Sequence, residues 1–411
     1  MELPLLGQIY LPISGVEIMG WKLILLGFTV GVIGGFFGIG GAFIVTPALN
    51  VFGFPMVYAI GTDMAQMAGK SIIATAKHSK FGNVDMKLGL IMIIGTVIGI
   101  ELGATVIMCL ENVGNADVDV VVRYVYMVLL FSLSGYMLYE YFKLTKEGAV
   151  ENKTIFDVGK SALALKMQSI KLPPMVNLTV SGFTISIWVI LSVATITGFV
   201  AGFLGVGGGF LRVPALIYVI GSPTRVAIGT DLFEIMISGA YGAFTYGIKG
   251  RVEIIAAVIM LIGASVGTQF GTLATQYVKG LKIRLYFAIT MALAGVSVVL
   301  KTIAGIYKNV YSSDLNAWVK VQPQFLEWAQ TEGIKLTTKV QVRDWILMNK
   351  EAVKGWFAQQ SDLIQQTRVM ETAWTNYSGY LMLGTAYALS GLIIIRMLQG
   401  INAERRRCIM P

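Results

Sequence analysis

Charge is scarce in this chain of 411 residues. Only 13% are Asp, Glu, Lys or Arg, about half the share found in a soluble domain, while 55% are hydrophobic and the mean hydropathy is +0.71. So much apolar surface exceeds what one core can take up, and the chain reads as an integral membrane protein. Histidine occurs once, at His78, and cannot form a zinc site alone. The two cysteines, Cys109 in an apolar run and Cys408 in the tail, give neither a metal framework nor a disulfide. No GxxxxGK[ST] loop occurs, which argues against an ATP-driven pump within this chain. Residues 1–20 hold Glu2 and Glu17 but no Lys or Arg, so they lack the basic opening of a cleaved signal peptide, and the first span is expected to serve as its own signal. The net charge of +9 comes with no nucleic-acid module; much of it falls in loops between spans, where Lys and Arg set orientation.

What the chain does have is glycine, and a stretch that occurs twice. Residues Gly31–Asp63 return as Gly198–Asp231, with Gly35/Gly202, Phe36/Phe203, Gly38/Gly205, Gly40/Gly207, Gly41/Gly208 and Pro47/Pro214 in register. After one inserted residue the match resumes at Pro55/Pro223, Gly61/Gly229, Thr62/Thr230 and Asp63/Asp231, and it continues through Gly82/Gly250, Asp85/Glu253 and Gly103/Gly271. Corresponding Gly and Pro interruptions in two apolar halves are a pointer to a transporter binding site.

Apolar runs predict spans at about 21–37, 56–79, 87–110, 121–142, 184–204, 224–248, 253–277, 284–306 and 377–398. Two shorter pieces, 40–54 and 208–221, follow the glycine motifs and either cross or re-enter. If they cross, each half has five spans, the halves are inverted, and the loop with Lys77, Lys80 and Lys87 is cytoplasmic. The linker 143–183, with six lysines against three acids, and the tail Arg405, Arg406 and Arg407 then fall on the same side, whereas Lys249 and Arg251 fall on the wrong one. Re-entrant pieces would give parallel repeats of four spans. The inverted arrangement is favoured. The fold class expected is therefore an all-α integral membrane protein: two homologous, inverted helical repeats with glycine-broken helices, a helical hydrophilic insert and a final transmembrane helix. Its parts are an N-terminal segment 1–20, repeat 1 at 21–142, the cytoplasmic linker 143–183 and repeat 2 at 184–306, then an extracytoplasmic insert 307–376, a last span 377–398 and a basic cytoplasmic tail 399–411. Apolar residues among the linker lysines from Phe156 to Ile170 suit either a surface amphipathic helix or a solvated connector. The insert holds five of the seven tryptophans, with eight basic and seven acidic residues, enough for a small helical core.

The triplets Gly95, Gly99, Gly103 and Gly263, Gly267, Gly271 recur every four residues and read as close helix packing. The clusters at Gly38–Gly41 and Gly205–Gly209 are different. Several glycines in a row cost a helix about 1 kcal/mol each, so the helix should break, and a new helix starting there points its positive N-terminus into the gap. At Ala-Ile-Gly-Thr-Asp, Gly61 and Gly229 either interrupt a helix that Thr62, Thr230, Asp63 or Asp231 then caps, or serve as packing notches in helices begun by Pro55 and Pro223. Charge inside a membrane is functional by default. Asp63, Asp231, Glu234, Lys70, Arg212 and Glu101 are of this kind, and Thr46, Asn50, Gln66, Thr75, Thr245 and Tyr246 are neutral groups near the breaks. Burial raises a carboxylate's pKa, so Asp63 and Asp231 either carry a coupling proton or merely hold the break. Lys77, His78 and Lys80 read as an interfacial basic cluster.

At GGFFGIGGAFIVTPAL with AIGTD, and at AGFLGVGGGFLRVPAL with AIGTD, the sequence resembles the sulfite exporter TauE/SafE family, also called the toluene sulfonate uptake permease family. The resemblance implies a carrier in the cell (inner) membrane for a small sulfur-containing anion such as sulfite, thiosulfate, a sulfonate or sulfoacetate. The anion site is expected at Gly38, Gly40, Gly41, Thr62, Asp63, Gly205, Gly207, Gly208, Thr230 and Asp231, with Lys70 and Arg212 as counter-charges. No cofactor, metal, catalytic residue or nucleic acid is expected; the partners are the anion, the lipid bilayer and, both left open, a coupling proton and a second copy in a homodimer. An anion channel, or a carrier of another oxyanion or carboxylate, is the alternative. An enzyme using Cys109 is disfavoured, since no His, Cys or carboxylate constellation surrounds it.

Overall fold

The computed structural model describes residues 7–39, 42–113, 118–146, 162–204, 209–320, 322, 325, 327–328, 345–346, 348–359 and 362–409. The chain divides into a unit of Met1–Val296 with Leu381–Pro411 and a unit of Ser297–Tyr380. In the first unit each repeat opens with a two-stranded hairpin that the sequence did not predict. The first pairs β1 (Gln8–Leu11) with β2 (Val16–Met19), and the second pairs β3 (Met175–Leu178) with β4 (Phe183–Ser186). Repeat 1 continues with α1 (Gly20–Phe37), α2 (Ala42–Val51), α3 (Met56–Lys80), α4 (Met86–Val113) and α5 (Val118–Lys146). A linker helix α6 (Ala162–Gln168) leads to repeat 2: α7 (Ile187–Leu204), α8 (Gly209–Ala215), α9 (Thr224–Gly247), α10 (Ile254–Tyr277) and α11 (Gly280–Lys320). Then come α12 (Lys350–Gln359) and α13 (Asp362–Ile409).

Seven of these helices, α1, α4, α5, α7, α10, α11 and α13, are long and apolar enough to cross a membrane. This is a multi-pass membrane protein. Helices α3 and α9 match them in length but carry Asp63, Lys70, Asp231 and Glu234, which lowers their hydropathy. Helix α1 ends where Gly38 turns left-handed at φ +79°. Inside α8, Pro214 has no N–H to donate, and past the helix the chain widens into a π turn over Leu216–Ile220 before Gly221, at φ +89°, ends it. Only part of the linker segment Phe156–Ile170 lies within the described residues. There Ala164 is buried and Gln168 Nε2 donates to the Ile220 carbonyl at 2.7 Å, so this piece docks on repeat 2.

The glycine stripes decide which helices touch. A Cβ added at Gly27, Gly31 or Gly35 would come within 2.0, 2.5 and 2.7 Å of the carbonyls of Met260, Ala264 and Thr268. In return, Gly263, Gly267 and Gly271 face the carbonyls of Ile24, Phe28 and Val32. Helix α1 therefore packs backbone to backbone with α10, in parallel, and α4 pairs with α7 the same way through Gly99, Gly103, Gly198 and Gly202. Each repeat gives its first helix to the other. Between the two pairs, the equivalent helices α3 and α9 pass antiparallel: Gly61 lies opposite Tyr246, Gly242 opposite Met64, and Gly229 opposite Asn83.

In the second unit Leu315, Val319, Phe325, Trp345, Val353 and Trp356 form a core, with Trp318 and Trp328 packed on it. The tryptophan-rich stretch thus supports its own small helical core. Ser297 and Ser378 exchange hydrogen bonds to each other's carbonyls at 2.7 and 2.8 Å, tying α11 to α13.

Candidate functional site

The two glycine breaks come together. A Cβ on Gly38 would lie 2.6 Å from the Ile228 Cα, and one on Gly209, the first residue of α8, would lie 2.7 Å from both the Ile39 Cα and Asp231 Oδ2. The start of one break, the start of the helix after the other and a buried carboxylate thus share one place. Of the glycines expected to bind, Gly38 is here; Gly40, Gly41, Gly205, Gly207 and Gly208 lie outside the described residues.

From this place a file of polar side chains follows the α3–α9 pair. Asp63, Gln66 and Lys70 recur at helical spacing on α3, and their repeat mates Asp231, Glu234 and Ser238 do so on α9; none is more than 1% exposed. The contents differ. In repeat 1, Lys70 Nζ donates to Gln66 Oε1 at 2.9 Å, its charge interacts with that of Asp63, and Thr46 donates to Asp63 Oδ2 at 3.1 Å. In repeat 2 the cation comes from the short helix: Arg212 forms an ion pair with Glu234, lies 3.2 Å from Asp231 Oδ1, and Ser238 donates to Glu234 Oε2 at 3.0 Å. Asp63 Oδ1, Gln66 Nε2 and Glu234 Oε1 have no hydrogen-bond partner among the described residues. Three carboxylates and two cations are sealed from solvent. Such burial is expensive unless the groups are paired or functional.

The Ala-Ile-Gly-Thr-Asp motifs do not break their helices, which corrects one of the two readings. Helix α3 runs unbroken from Pro55, and α9 from Pro223. Gly61 and Gly229 are notches: a Cβ there would sit 2.3 Å from the Arg251 carbonyl and 2.2 Å from the Asn83 carbonyl. Thr62 and Thr230 are occupied in the structure. Their hydroxyls accept the backbone N–H of Glu253 and of Asp85, each at 2.9 Å. Among the described residues only α2 and α8 therefore start at breaks.

His78 and Tyr246 are another mated pair. His78 Nε2 lies 3.3 Å from the Gly35 carbonyl, and the Tyr246 hydroxyl donates to the Gly202 carbonyl at 2.6 Å. Each satisfies a carbonyl in the last turn before a break. His78 is fully buried in the last turn of α3, while Lys77 donates to the Gln269 carbonyl and Lys80 stays exposed. Arg251, the loop charge on the unexpected side, is bonded to the Tyr58 hydroxyl and lies over its ring. Glu101 accepts from Tyr241 and Thr245 at the bundle surface, and Asn50 donates to the Phe54 carbonyl. Among the described residues no three His, Cys, Asp or Glu side chains are grouped to hold a metal ion.

A model of the sulfite exporter TauE/SafE family matches residues 23–298. The chain is 26% identical over 299 residues to the "Probable membrane transporter protein YunE" of Bacillus subtilis, covering 71% of this chain and 98% of that one. It is 24% identical over 295 residues to the "Probable membrane transporter protein MJ0441" of Methanocaldococcus jannaschii, covering 68% and 94%. No solved structure matches. The matched region takes in both repeats and stops beside the start of the second unit at Ser297.

Proposed function

Because this chain belongs to the sulfite exporter TauE/SafE family, we propose that it is a secondary carrier of a small sulfur-containing anion, working by alternating access around the buried polar file. The family's relatives are named as transporters, and the chain is not an enzyme. The observation that carries the reading is the sealed set of Asp63, Lys70, Arg212, Asp231 and Glu234, of which Asp231 stands where both glycine breaks meet. Lys70 and Arg212 offer charge to an anion, but with every group ionised the set is negative by one. An anion entering it gains a neutral balance only if protons come with it, which supports proton coupling through Asp63 and Asp231. The antiparallel passage of the equivalent helices α3 and α9 supports inverted repeats. Complete burial of the file supports a carrier over a continuously open channel.

The test is a thermal-shift panel on purified protein with sulfite, thiosulfate, sulfate, sulfoacetate, taurine and chloride at constant ionic strength. A ligand at about 100 times its Kd adds roughly 2.7 kcal/mol of stability. A selective shift by one sulfur anion names the substrate for flux assays. No shift in folded protein removes the sulfur-anion reading.

A further inference from the structure

We infer that the two β-hairpins are gates, one at each end of the α3–α9 pair, each latched shut by a carboxylate of the other repeat. At the tip of the first, the N–H groups of Ile13 and Ser14 each lie 2.9 Å from Glu253 Oε2, and the Ser14 hydroxyl lies 3.3 Å from the same atom. At the tip of the second, the Ser181 N–H and hydroxyl lie 3.2 and 2.8 Å from Asp85 Oδ2, and the hydroxyl also meets Ser222 at 3.3 Å. Each latching carboxylate is held in turn by the repeated threonine: Glu253 donates its N–H to Thr62, and Asp85 to Thr230. All of these groups but the part-buried Ile13 are buried, and none belongs to the charged file.

Several observations mark these contacts as releasable. A two-stranded hairpin of four-residue strands is marginally stable alone, so its position depends on what its tip grips. The tips turn at Gly15 and Gly182, and the loops that present Glu253 and Asp85 turn at Gly250 and Gly82. All four have positive φ, and nothing lies within 4 Å of where a Cβ would be, so each latch is flanked on both sides by an open turn at which the chain can pivot. The anchors also touch the file, since Thr62 directly precedes Asp63 and Thr230 directly precedes Asp231. Because α3 and α9 are antiparallel, the latches lie at opposite ends of the file. With both closed the file is sealed; release of one opens it toward that end alone. This inference rests on the transporter reading.

The test uses the full chain with Cys109→Ser and Cys408→Ser, carrying Ser238→Cys as a reporter in the file. Membrane vesicles are exposed on each face in turn to a charged, membrane-impermeant thiosulfonate. The pairs Ser14→Cys with Glu253→Cys and Ser181→Cys with Asp85→Cys are then closed as disulfides. Closing the first pair is expected to slow labelling from the β1–β2 face by about tenfold or more and leave the other face unchanged, the second pair to do the reverse, and dithiothreitol to restore both. Labelling indifferent to both crosslinks overturns the gates, whatever the transport result. Face-specific labelling without sulfur-anion transport overturns the substrate and keeps the gates. If a crosslinked variant fails to fold, Glu253→Ala and Asp85→Ala, which remove the accepting carboxylate of each latch, replace it. Each is expected to raise labelling from its own face several-fold, and no change from either overturns the proposal.

Discussion

Arg212 reaches Glu234 in an ion pair from which solvent is wholly excluded, and the same guanidinium nitrogen lies 3.2 Å from Asp231. One cation serves two carboxylates. Arg212→Met should therefore cost about 3–5 kcal/mol, because two buried charges lose their partner. Combining it with Asp231→Asn and Glu234→Gln removes the charges together and should recover most of that stability without recovering anion binding. Thermal unfolding in detergent, with and without the anion, checks both.

Asp63→Asn and Asp231→Asn should each flatten the pH dependence of uptake into proteoliposomes. An amide of the same shape keeps the packing of each site but cannot release a proton. A profile unchanged in both variants would leave these residues as structural holders of the break.

Thr62→Val and Thr230→Val should destabilise the protein by similar amounts, about 1–3 kcal/mol each, since each strands one buried N–H. Unequal losses, measured by thermal unfolding, would show that the two repeats do not share this bolt equally.

Gly99→Ile and Gly267→Ile should each cost about 1–3 kcal/mol or more by forcing paired helices apart. Gly135→Ala, with nothing near the added methyl inside α5, is the control and should hold or slightly raise the melting temperature, since alanine favours a helix over glycine by up to about 1 kcal/mol.

Cys109 is exposed on α4, and among the described residues no group of three His, Cys, Asp or Glu side chains gathers around it, so Cys109→Ser should leave anion flux intact. A loss of flux would reopen a covalent role for the thiol.

The glycine spacing, the doubled motif and the isolated charges made the repeats, the spans and the members of the file legible from sequence. Those signals are local and strong. A glycine every fourth residue says that a helix face is approached closely, but not by which neighbour, so the exchange of α1 and α7 between repeats was not legible. Four-residue strands leave no periodicity to read. Yet Ser14-Gly15 and Ser181-Gly182 keep the same offset as Gly31 and Gly198, and the mated Asp85 and Glu253 stood in plain view. Extending the alignment of the repeats upstream would have found the hairpin tips. For Ala-Ile-Gly-Thr-Asp, sequence left a break and a notch equally open. What decides between them is a carbonyl from the other repeat, and that partner lies outside the motif.

The pairing of α1 with α10 also bears on how the chain is made. Roughly 200 residues separate the two helices, so at a synthesis rate of about 5–20 residues per second α1 waits roughly 10–40 s in the bilayer before its glycine face meets a partner. During that interval the newly inserted half has a row of small residues facing lipid or whatever holds it. Neither half should be a stable species by itself, whereas two halves produced as separate chains in one cell, cut between α5 and α7, should find each other and reconstitute the bundle.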